Sequence, residues 1–453
     1  MSPVASSTPS IPVPKAVRWI VRTLEEAGFE TWTVGGAVRD ALIGRPSDDW
    51  DLATRAPPEE VRRVFRRTVP VGIEHGTVGV LARDGTLYEV TTFRKDVETF
   101  GRHAVVAFAE TLAEDLHRRD FTINAVAWHP LRGELFDPHD GAGDLARGIL
   151  RTVGAPRERF AEDYLRVLRA LRFAARFRLE IAPATWDALT EATVHLHVLS
   201  PERIREELWK VLEGDPTPSR ALELYRRSGA LAAVAPEVAA VAAEGPGRAW
   251  TGTLAVVDAL PRHRGALRLA ALLGEVGEPP IREDDPPLPS DAGPAPSAIR
   301  LRAMIRSAAF LTRLRHSNAH VADVSGWVGA GPELPAPEAD PEVRRRWLAR
   351  VGRERVRPLV RWAGARARVA GDPAEVVRAA CGLREELAAA PPLTVGDLAI
   401  SGRDLIGLGL KPGPHFGEIL EALLDRVLSD PSANESDRLR AWAMELAGER
   451  GDG

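Results

Sequence analysis

The spacing of apolar residues changes along the chain, and the change falls near residue 156. Before this point, short apolar segments bounded by Gly, Pro and Asp predict β-strands joined by turns and short helices. After it, apolar residues recur every three or four positions over longer segments, which is typical of amphipathic helices. The pattern predicts an α+β N-terminal domain followed by a mostly helical remainder.

The elements of the N-terminal part follow from this pattern and from the residues that interrupt it. Strands are expected at residues 31–34, 49–53, 76–82 and 86–92, and helices at residues 16–27, 37–43 and 57–65. Gly44 and Pro46 end the second of these helices, because neither residue continues a helix well. Residues 93–108 are charged and irregular, which predicts a flexible loop, whereas residues 159–177 predict one continuous helix.

Composition narrows the class of protein without indicating a function. The chain has 453 residues, of which 44% are apolar and 27% charged, as is ordinary for a globular protein of several domains. A net charge of -4 is no sign of a nucleic-acid binder, so a polyanion site requires local clusters of Arg. Cys381 is the single cysteine, which excludes an internal disulfide and a cysteine metal cluster. No apolar run reaches the roughly 18 residues of a membrane span, and we expect a cytoplasmic protein without a membrane partner.

Candidate chemistry is concentrated in residues 33–54, TVGGAVRDALIGRPSDDWDLAT. Gly35 and Gly36 predict a tight turn that a ligand can approach closely, and the helix after the turn offers its N-terminus to a phosphate. Asp49 and Asp51 are one residue apart in the next predicted strand, so their side chains point to the same face. Paired carboxylates repel unless a cation lies between them. Oxygen ligands of this kind suit Mg²⁺, which neutralises a triphosphate and activates an attacking hydroxyl.

Each of these acidic and basic candidates has an ordinary alternative. Asp49 and Asp51 can instead be the polar side of a solvated edge strand, although the Gly-Gly turn and Arg39 nearby favour the metal site. Glu89 is either a third carboxylate beside the pair or the polar face of a half-exposed strand. The adjacent pair Arg118–Arg119 is either a solvated face or a set of ligands for phosphate oxygens.

Four ionic residues are spaced three apart in the helix predicted at residues 159–177, namely Asp163, Arg166, Arg169 and Arg172. Each step of three falls short of a full turn by about 60°, so the four residues spiral around the helix. Asp163 and Arg166 form either an ordinary ion pair between neighbouring turns or a pair that reads a nucleobase. In the second case the carboxylate accepts from an exocyclic amino group and the guanidinium donates to the adjacent ring nitrogen. Such a pair selects cytosine and adenine over uracil and guanine.

Three segments together resemble the bacterial-type class II tRNA nucleotidyltransferases, the CCA-adding enzymes, and their poly(A) polymerase relatives. They are GGAVRDALIGRPSDDWDLAT, DLHRRDFTINAVAW and EDYLRVLRALRF. A fourth segment, SGRDLIGLGLKPGPHFGEIL, resembles the C-terminal domain of CCA-adding members. Each segment is moderately specific, whereas their order and spacing together are highly specific. The resemblance is dense from Gly35 to about Leu212 and returns at residues 394–428.

The resemblance implies a polymerase-β-type nucleotidyltransferase palm followed by all-α neck, body and tail domains. The expected boundaries are residues 1–14 for a disordered leader, 15–153 for the head or palm, 154–215 for the neck, 216–280 for the body, 281–297 for a Pro-rich linker or loop and 298–453 for a tRNA-binding tail. The neck would select the nucleotide. In the body, Gly274 and Glu275 stand where some relatives carry a His-Asp metal pair, so no phosphohydrolase activity is expected.

The resemblance also implies roles for the candidate residues. Asp49 and Asp51 would hold Mg²⁺, with Glu89 as the open candidate for a third catalytic carboxylate. The nucleotide would be contacted by Gly35, Gly36, Arg39, Arg118, Arg119, Asp163, Arg166, Arg169 and Arg172. The implied reaction is template-independent addition of CCA to the 3′ end of tRNA from CTP and ATP, with release of pyrophosphate.

Other functions remain as alternatives at this level. Within the class they are addition of A alone, addition of CC alone and poly(A) synthesis. Outside it, the alternative is an RNA-binding protein without enzymatic activity, which the acidic pair and its neighbouring arginines disfavour. The sequence does not indicate an oligomeric state.

Overall fold

The computed structural model describes residues 11–100, 103–242, 248–274 and 295–448. The chain forms two compact units, which we call the N-terminal unit (Met1–Val211 and Arg220–Pro236) and the C-terminal unit (Leu212–Ser219 and Glu237–Gly453). This division differs from the expected start of a body domain at residue 216. Residues 220–236 pack with the N-terminal unit instead.

The N-terminal unit begins with an α+β region, as the apolar spacing predicts. Its helices are α1 (Lys15–Glu26), α2 (Gly36–Leu42), α3 (Pro58–Val64), α4 (Leu112–His117) and α5 (Gly141–Arg147). Its strands are β1 (Thr31–Val34), β2 (Asp51–Thr54), β3 (Thr68–Gly72), β4 (Thr77–Leu81), β5 (Leu87–Thr92), β6 (Arg94–Phe100), β7 (His103–Phe108), β8 (Ala127–His129), β9 (Glu134–Phe136) and β10 (Ile149–Leu150). Seven strands form one sheet in the order β3-β4-β5-β2-β1-β8-β9. β2 and β5 are parallel neighbours, and the other pairs of this sheet are antiparallel.

The middle of this sheet is covered on both faces, because successive strand residues point to opposite sides. Leu52 of β2 packs on one face with α1, α2 and α3, in a cluster that also contains Ile11 and Val13. Ala53 packs on the other face with Trp32. Ile11 and Val13 are only 3% and 9% exposed, so the prediction of a disordered leader is wrong for residues 11–14. Residues 1–10 lie outside the described part of the chain.

Residues 93–108 contain a β-hairpin, so the prediction of an irregular loop is wrong for their described backbone. β6 and β7 pair antiparallel, starting with Arg94 opposite Phe108, and the register shifts between Asp96 and Glu98. The segment HAVVAF of β7 is rich in residues that favour strands. β6 is RKDVETF, in which charged residues interrupt the alternation of apolar and polar positions that marks a strand. The sequence therefore does not indicate that β6 is a strand paired with β7.

Helices follow in the rest of the N-terminal unit. They are α6 (Pro156–Glu162), α7 (Leu165–Phe177), α8 (Pro183–Ala192), α9 (Pro201–Gly214), α10 (Ser219–Ser228) and α11 (Ala230–Val234), with the short strand β11 (Glu180–Ile181) and the 3₁₀ helix Thr193–Val198. The single helix predicted at residues 159–177 is therefore wrong. Asp163 has extended backbone angles of φ -156° and ψ 105°, and its carboxylate accepts the backbone N–H of Leu165 at 3.0 Å. An Asp that bonds to the backbone in this way competes with helix formation, although the apolar period continues through it.

The C-terminal unit consists of helices joined by turns and loops, and its described residues contain no β-strand. Its helices are α12 (Pro236–Ala242), α13 (Arg248–Ala259), α14 (Gly265–Gly274), α15 (Ala295–Arg313), α16 (Asn318–Ala330), α17 (Pro341–Val351), α18 (Arg353–Ala370), α19 (Ala374–Ala388), α20 (Gly402–Gly407), α21 (His415–Ser429) and α22 (Ser436–Gly448). The linker expected at residues 281–297 is helical from Ala295 onward, and its earlier residues lie outside the described part. None of the described helices is both long enough and apolar enough to cross a membrane.

The start of α5 gives a test of the packing in the N-terminal unit. A Cβ atom at Gly141 would lie 2.0 Å from the carbonyl oxygen of Thr122 and 2.8 Å from Cγ2 of Val126. Because the backbone must shift to accept it, we expect Gly141→Ala to lower the free energy of unfolding by about 1–3 kcal/mol, as measured by urea denaturation. Gly252→Ala in α13 is the matched control, because its added Cβ meets nothing within 4 Å. Unchanged stability of Gly141→Ala would contradict the close approach of α5 to Thr122.

Candidate active site

The predicted carboxylate pair lies at the start of β2. Asp51 is the first residue of the strand and Asp49 precedes it, so the strand begins two residues later than expected. Trp50 lies between them and is buried in the same cluster as Leu52. The alternation of side chains therefore directs the two carboxylates away from that cluster. Asp49 is exposed and Asp51 is half-buried.

Asp51 carries the clearest electrostatic signal of the site. Burial and the negative charge of Asp49 raise the pKa of Asp51 from 3.8 to about 6, while Arg119 lowers it and Glu89 raises it further. The charged form of Asp51 is thus disfavoured by poor solvation and by two like charges. A bound divalent cation would remove both disadvantages, so this carboxylate pair fits a Mg²⁺ ion.

Glu89 lies beside Asp51 on the neighbouring strand. The parallel register places Leu52 opposite Val90, so the preceding residues, Asp51 and Glu89, are also neighbours. In the described residues, however, no three His, Cys, Asp or Glu side chains converge closely enough to hold a metal by themselves. A site of two carboxylates is what Mg²⁺ uses when water and substrate phosphates complete its coordination. The role of Glu89 as a third carboxylate stays a prediction.

Gly35 brings the turn, an arginine and a carboxylate together. Its backbone angles are φ 74° and ψ -133°, a conformation that residues with a side chain rarely adopt. A Cβ atom at Gly35 would lie 2.8 Å from Nη1 of Arg119 and 3.9 Å from Oδ2 of Asp51. Gly36 begins α2, and its Cβ position faces Nη2 of Arg39 at 3.5 Å. The structure therefore gathers Gly35, Arg119 and Asp51 at one point.

A single buried carboxylate orients Arg118 and Arg119. Asp115 accepts Nε and Nη2 of Arg118 at 3.1 and 3.0 Å, and Nη2 of Arg119 at 3.4 Å. Burial alone would raise the pKa of Asp115, but the charges of Arg119 and Arg118 hold it below its usual range. Both arginine side chains are only 19% exposed, so the interpretation of a solvated face is wrong.

Arg119 also has a hydrogen-bond donor without a partner in the described residues. This donor is its buried Nε–H. An unpaired buried donor is costly, and such groups usually mark a site where a ligand or water binds. Since the same guanidinium adjoins Gly35 and Asp51, this donor fits an anionic group held beside the carboxylate pair.

Arg39 is buried, with 6% of its surface exposed. It donates to Asp40 at 2.8 Å and to Oδ1 of Asn124 at 2.5 Å, and its guanidinium lies 4.3 Å from the ring centre of Phe177. Burial lowers the pKa of Arg39, and the adjacent Asp40 partly offsets this. These contacts fix α2 against α7. In the structure the guanidinium of Arg39 is bound by Asp40, Asn124 and Phe177. Direct contact between Arg39 and a triphosphate therefore stays a prediction.

A buried polar chain continues from Arg39 to α7. Asn124 donates through Nδ2 to Asp120 at 2.9 Å, and Asp120 accepts Nε and Nη2 of Arg169 at 2.8 and 2.6 Å. Burial would raise the pKa of Asp120, but the charge of Arg169 lowers it. Sequence reasoning missed Asn124 and Asp120 as parts of the site, because their partners are 85 and 49 residues away.

Asp163 and Arg166 lie at the break between α6 and α7 and take different partners in the described structure. Asp163 accepts Nη1 and Nη2 of Arg203 at 3.0 and 2.7 Å. Arg166 pairs with Glu162 and also donates to the carbonyl oxygen of Arg118 at 3.4 Å. The alternative of an ion pair between Asp163 and Arg166 is therefore wrong, because the helix break turns the carboxylate towards α9.

A second ion pair holds α9 against α7. Nε of Arg172 donates to Glu207 at 2.7 Å, and both side chains are buried. Arg172 also lies 4.3 Å from the ring centre of Phe173. Sequence reasoning missed Arg203 and Glu207, whose signal was available as two charges four residues apart on one face of the helix in ERIREELWKVL.

Comparison with protein families identifies three matching segments. Residues 31–151 match a family described as the poly A polymerase head domain. Residues 178–241 match one described as a probable RNA- and SrmB-binding site of polymerase A. Residues 384–443 match one described as putative domain 2 of tRNA nucleotidyltransferase. The first segment contains the carboxylate pair, and the second contains α9.

Comparison with whole proteins gives matches along nearly the entire chain. The CCA-adding enzyme of Geobacillus kaustophilus is 36% identical over 433 residues, which cover 94% of this chain and 95% of the relative. That of Levilactobacillus brevis is 33% identical over 430 residues, covering 94% and 96%. The crystal structure of the Bacillus stearothermophilus CCA-adding enzyme in complex with CTP is similar with a TM-score of 0.73 and 32% identity, over 97% of this chain and 98% of that one.

The raised pKa of Asp51 predicts how stability changes with pH. Folding disfavours the charged form of Asp51, so this residue makes the protein less stable as the pH rises from about 4 to above 6. We expect Asp51→Asn to remove that loss and to be more stable than the unsubstituted protein at pH 8, by up to about 3 kcal/mol, but not at pH 4. Urea denaturation in EDTA at the two pH values measures this difference.

Added Mg²⁺ extends the same experiment to the cation. It should stabilise the unsubstituted protein at pH 8 and leave Asp51→Asn unchanged, because the cation needs the charged carboxylate. Asp48→Asn, at an exposed aspartate beside the pair, serves as the matched control. A difference in stability between Asp51→Asn and the unsubstituted protein that does not depend on pH would contradict the raised pKa of Asp51. Equal stabilisation of these two proteins by Mg²⁺ would contradict a cation site at Asp51.

Proposed function

Because the chain belongs to the CCA-adding enzymes, a family of tRNA nucleotidyltransferases, we propose that it adds CCA to the 3′ end of tRNA from CTP and ATP. The observation that carries this proposal is that Asp51, Gly35 and the guanidinium of Arg119 lie together within the segment that matches the head domain. The buried Nε–H of the same guanidinium has no partner in the described residues. That arrangement combines a carboxylate in need of a cation with an arginine suited to phosphate.

Nucleotidyltransferases of this family generally use divalent metal ions, and Mg²⁺ is the ion proposed for Asp49 and Asp51. Their oxygen-only donor set and the raised pKa of Asp51 support this choice. When bound, such an ion supplies neutralisation of the triphosphate and activation of the attacking hydroxyl. Arg119 and Arg118 would bind phosphate oxygens, and Gly35 would let the triphosphate approach the backbone. The 3′ hydroxyl then attacks the α-phosphate, and pyrophosphate leaves.

Selection of the base is assigned to Asp163 and Arg166. Oδ1 of Asp163 already accepts hydrogen bonds from Leu165 and Arg203, whereas Oδ2 accepts only one, from Arg203. Because a carboxylate oxygen can accept two hydrogen bonds, Oδ2 retains capacity for an exocyclic amino group. Cytosine and adenine carry such a group next to a ring acceptor. Arg169 and Arg172 form ion pairs with Asp120 and Glu207. We therefore propose that these two arginines position the neighbouring helices and do not contact the nucleotide themselves.

The partners and the alternatives follow from the same comparisons. The partners are tRNA, CTP and ATP, and the similarity along nearly the full length of the relatives favours complete CCA addition over addition of A or CC alone and over poly(A) synthesis. The relatives are bacterial enzymes, and a cytoplasmic location remains our prediction.

At Gly274, a Cβ would lie 2.4 Å from the ring of Trp362, which supports the expectation that no metal-binding His fits there. Glu275 lies outside the described residues.

Incorporation of labelled nucleotides into tRNA that lacks its 3′ CCA tests the proposed reaction. We expect CMP and AMP to be added and UMP and GMP to be refused, with one CCA per tRNA. Asp49→Asn and Asp51→Asn should reduce the rate by at least about 100-fold without unfolding the protein, because the cation loses its ligands. Incorporation of A alone or C alone would support a partial activity, and no incorporation by the unsubstituted protein would contradict the proposal.

Replacement of Asp163 tests the selection of the base separately. We expect Asp163→Ala to lower the ratio of kcat/KM for CTP over UTP by at least about 10-fold, because the acceptor for the amino group is lost. The exposed Glu158→Ala on α6 is the control. An unchanged ratio for Asp163→Ala would refute the role while leaving the nucleotidyltransferase activity standing.

A further inference from the structure

The 3₁₀ helix Thr193–Val198 presents an exposed apolar and aromatic surface. Val194 and Val198 are 68% and 58% exposed, the highest values for large apolar residues described in the N-terminal unit. His195 and His197, on the same short helix, are also exposed. We call Val194, His195 and Val198 the 194–198 surface. Side chains three residues apart align in a 3₁₀ helix, so His195 and Val198 share one edge of it.

His195 connects this surface to the base-reading residues. Its ring stacks on Tyr164, with centres 4.9 Å apart and planes inclined by 28°. Tyr164 directly follows Asp163, which is bound by Arg203. Two consecutive residues at the break between α6 and α7 therefore contact residues 195 and 203. The exposed imidazole lies beside the point where the incoming base is proposed to bind.

We propose that His195 stacks on an unpaired nucleobase at the 3′ end of the RNA substrate, with Val198 on the same edge of the helix. This inference rests on the proposed function. The 3′ hydroxyl must reach the α-phosphate of the incoming nucleotide, so the last base of the RNA lies next to the incoming base. Single-stranded RNA is bound largely by stacking of its bases on Phe, Tyr, Trp or His rings.

The size of the 194–198 surface favours RNA over a protein partner. The surface lies within residues 178–241, which match a family described as a probable RNA- and SrmB-binding site of polymerase A, so RNA is one of the two ligands that this description names. It is also small, with one imidazole and two valines, which suits one or two bases. A stable protein interface buries roughly 800 Å² on each partner, with 20–30 residues on each side.

Binding of RNA hairpins with and without unpaired 3′ nucleotides tests the stack. Fluorescence anisotropy gives the Kd for a blunt hairpin and for the same hairpin extended by two unpaired nucleotides. We expect His195→Ala to weaken binding of the extended hairpin about 10-fold and binding of the blunt hairpin less than about two-fold. The KM for CTP at saturating RNA should stay unchanged, since His195 does not read the incoming base.

His197→Ala is the matched control, at an exposed histidine of the same helix whose Nδ1 lies 2.8 Å from the carbonyl oxygen of Val194. It should bind both hairpins as the unsubstituted protein does. His195→Phe keeps an aromatic ring and should restore most of the affinity for the extended hairpin. Thermal unfolding of each variant shows whether the fold is retained.

Three results for RNA binding would overturn the inference. They are unchanged binding of the extended hairpin by folded His195→Ala, equal loss for both hairpins, and equal loss in His197→Ala. A change in self-association with unchanged RNA binding would assign the surface to a second copy of the chain and overturn it as well. If the unsubstituted protein adds no nucleotide to any RNA, the proposed function itself fails. Normal addition together with an unaffected His195→Ala refutes the stack alone.

Discussion

The half-buried carboxylate of Asp51 is the constraint on which the rest of the site depends. The register of β2 and β5 places it beside Glu89, and Asp49 lies two residues before it. Burial, together with the negative charges of Asp49 and Glu89, raises the pKa of Asp51, so the protein alone does not satisfy the charged group. The opposing charge comes from Arg119, which adjoins the Gly35 turn. A carboxylate pair that needs a cation and an arginine with a spare donor are complementary to a nucleoside triphosphate carrying a metal ion.

Buried polar pairs hold the other functional groups at set positions around this carboxylate. Asn124 and Asp120 connect Arg39 of α2 to Arg169 of α7. On the next turn of α7, Arg172 binds Glu207 of α9 in a buried pair. Removal of one member of such a pair typically costs about 3–5 kcal/mol, because the remaining charge stays buried. Several of the arginines expected to touch the nucleotide are therefore better explained as groups that position α2, α7 and α9.

Local features of the site could be predicted from the sequence, and long-range partners could not. The turn at Gly35 and the pair Asp49–Asp51 depend on residue types within a short segment, and the structure brings them together with Arg119. The break at Asp163 was hidden because the apolar period continues through it. Its partner Arg203 lies 40 residues away, and no local pattern shows that these two residues meet. The β6–β7 hairpin was missed for a related reason. The charged residues of β6 do not alternate with apolar ones as in a typical strand, and its pairing with β7 is seen only in the structure.

A crystal of the protein grown with CTP and Mn²⁺ tests the central claim most directly, because Mn²⁺ gives an anomalous signal and accepts the same oxygen ligands. The proposed chemistry predicts an anomalous peak within about 2.3 Å of a carboxylate oxygen of Asp51 and near Asp49, next to the triphosphate. It also predicts the cytosine amino group within hydrogen-bond distance of Asp163. A metal ion and triphosphate bound away from Asp51, with this carboxylate left unliganded, would contradict it.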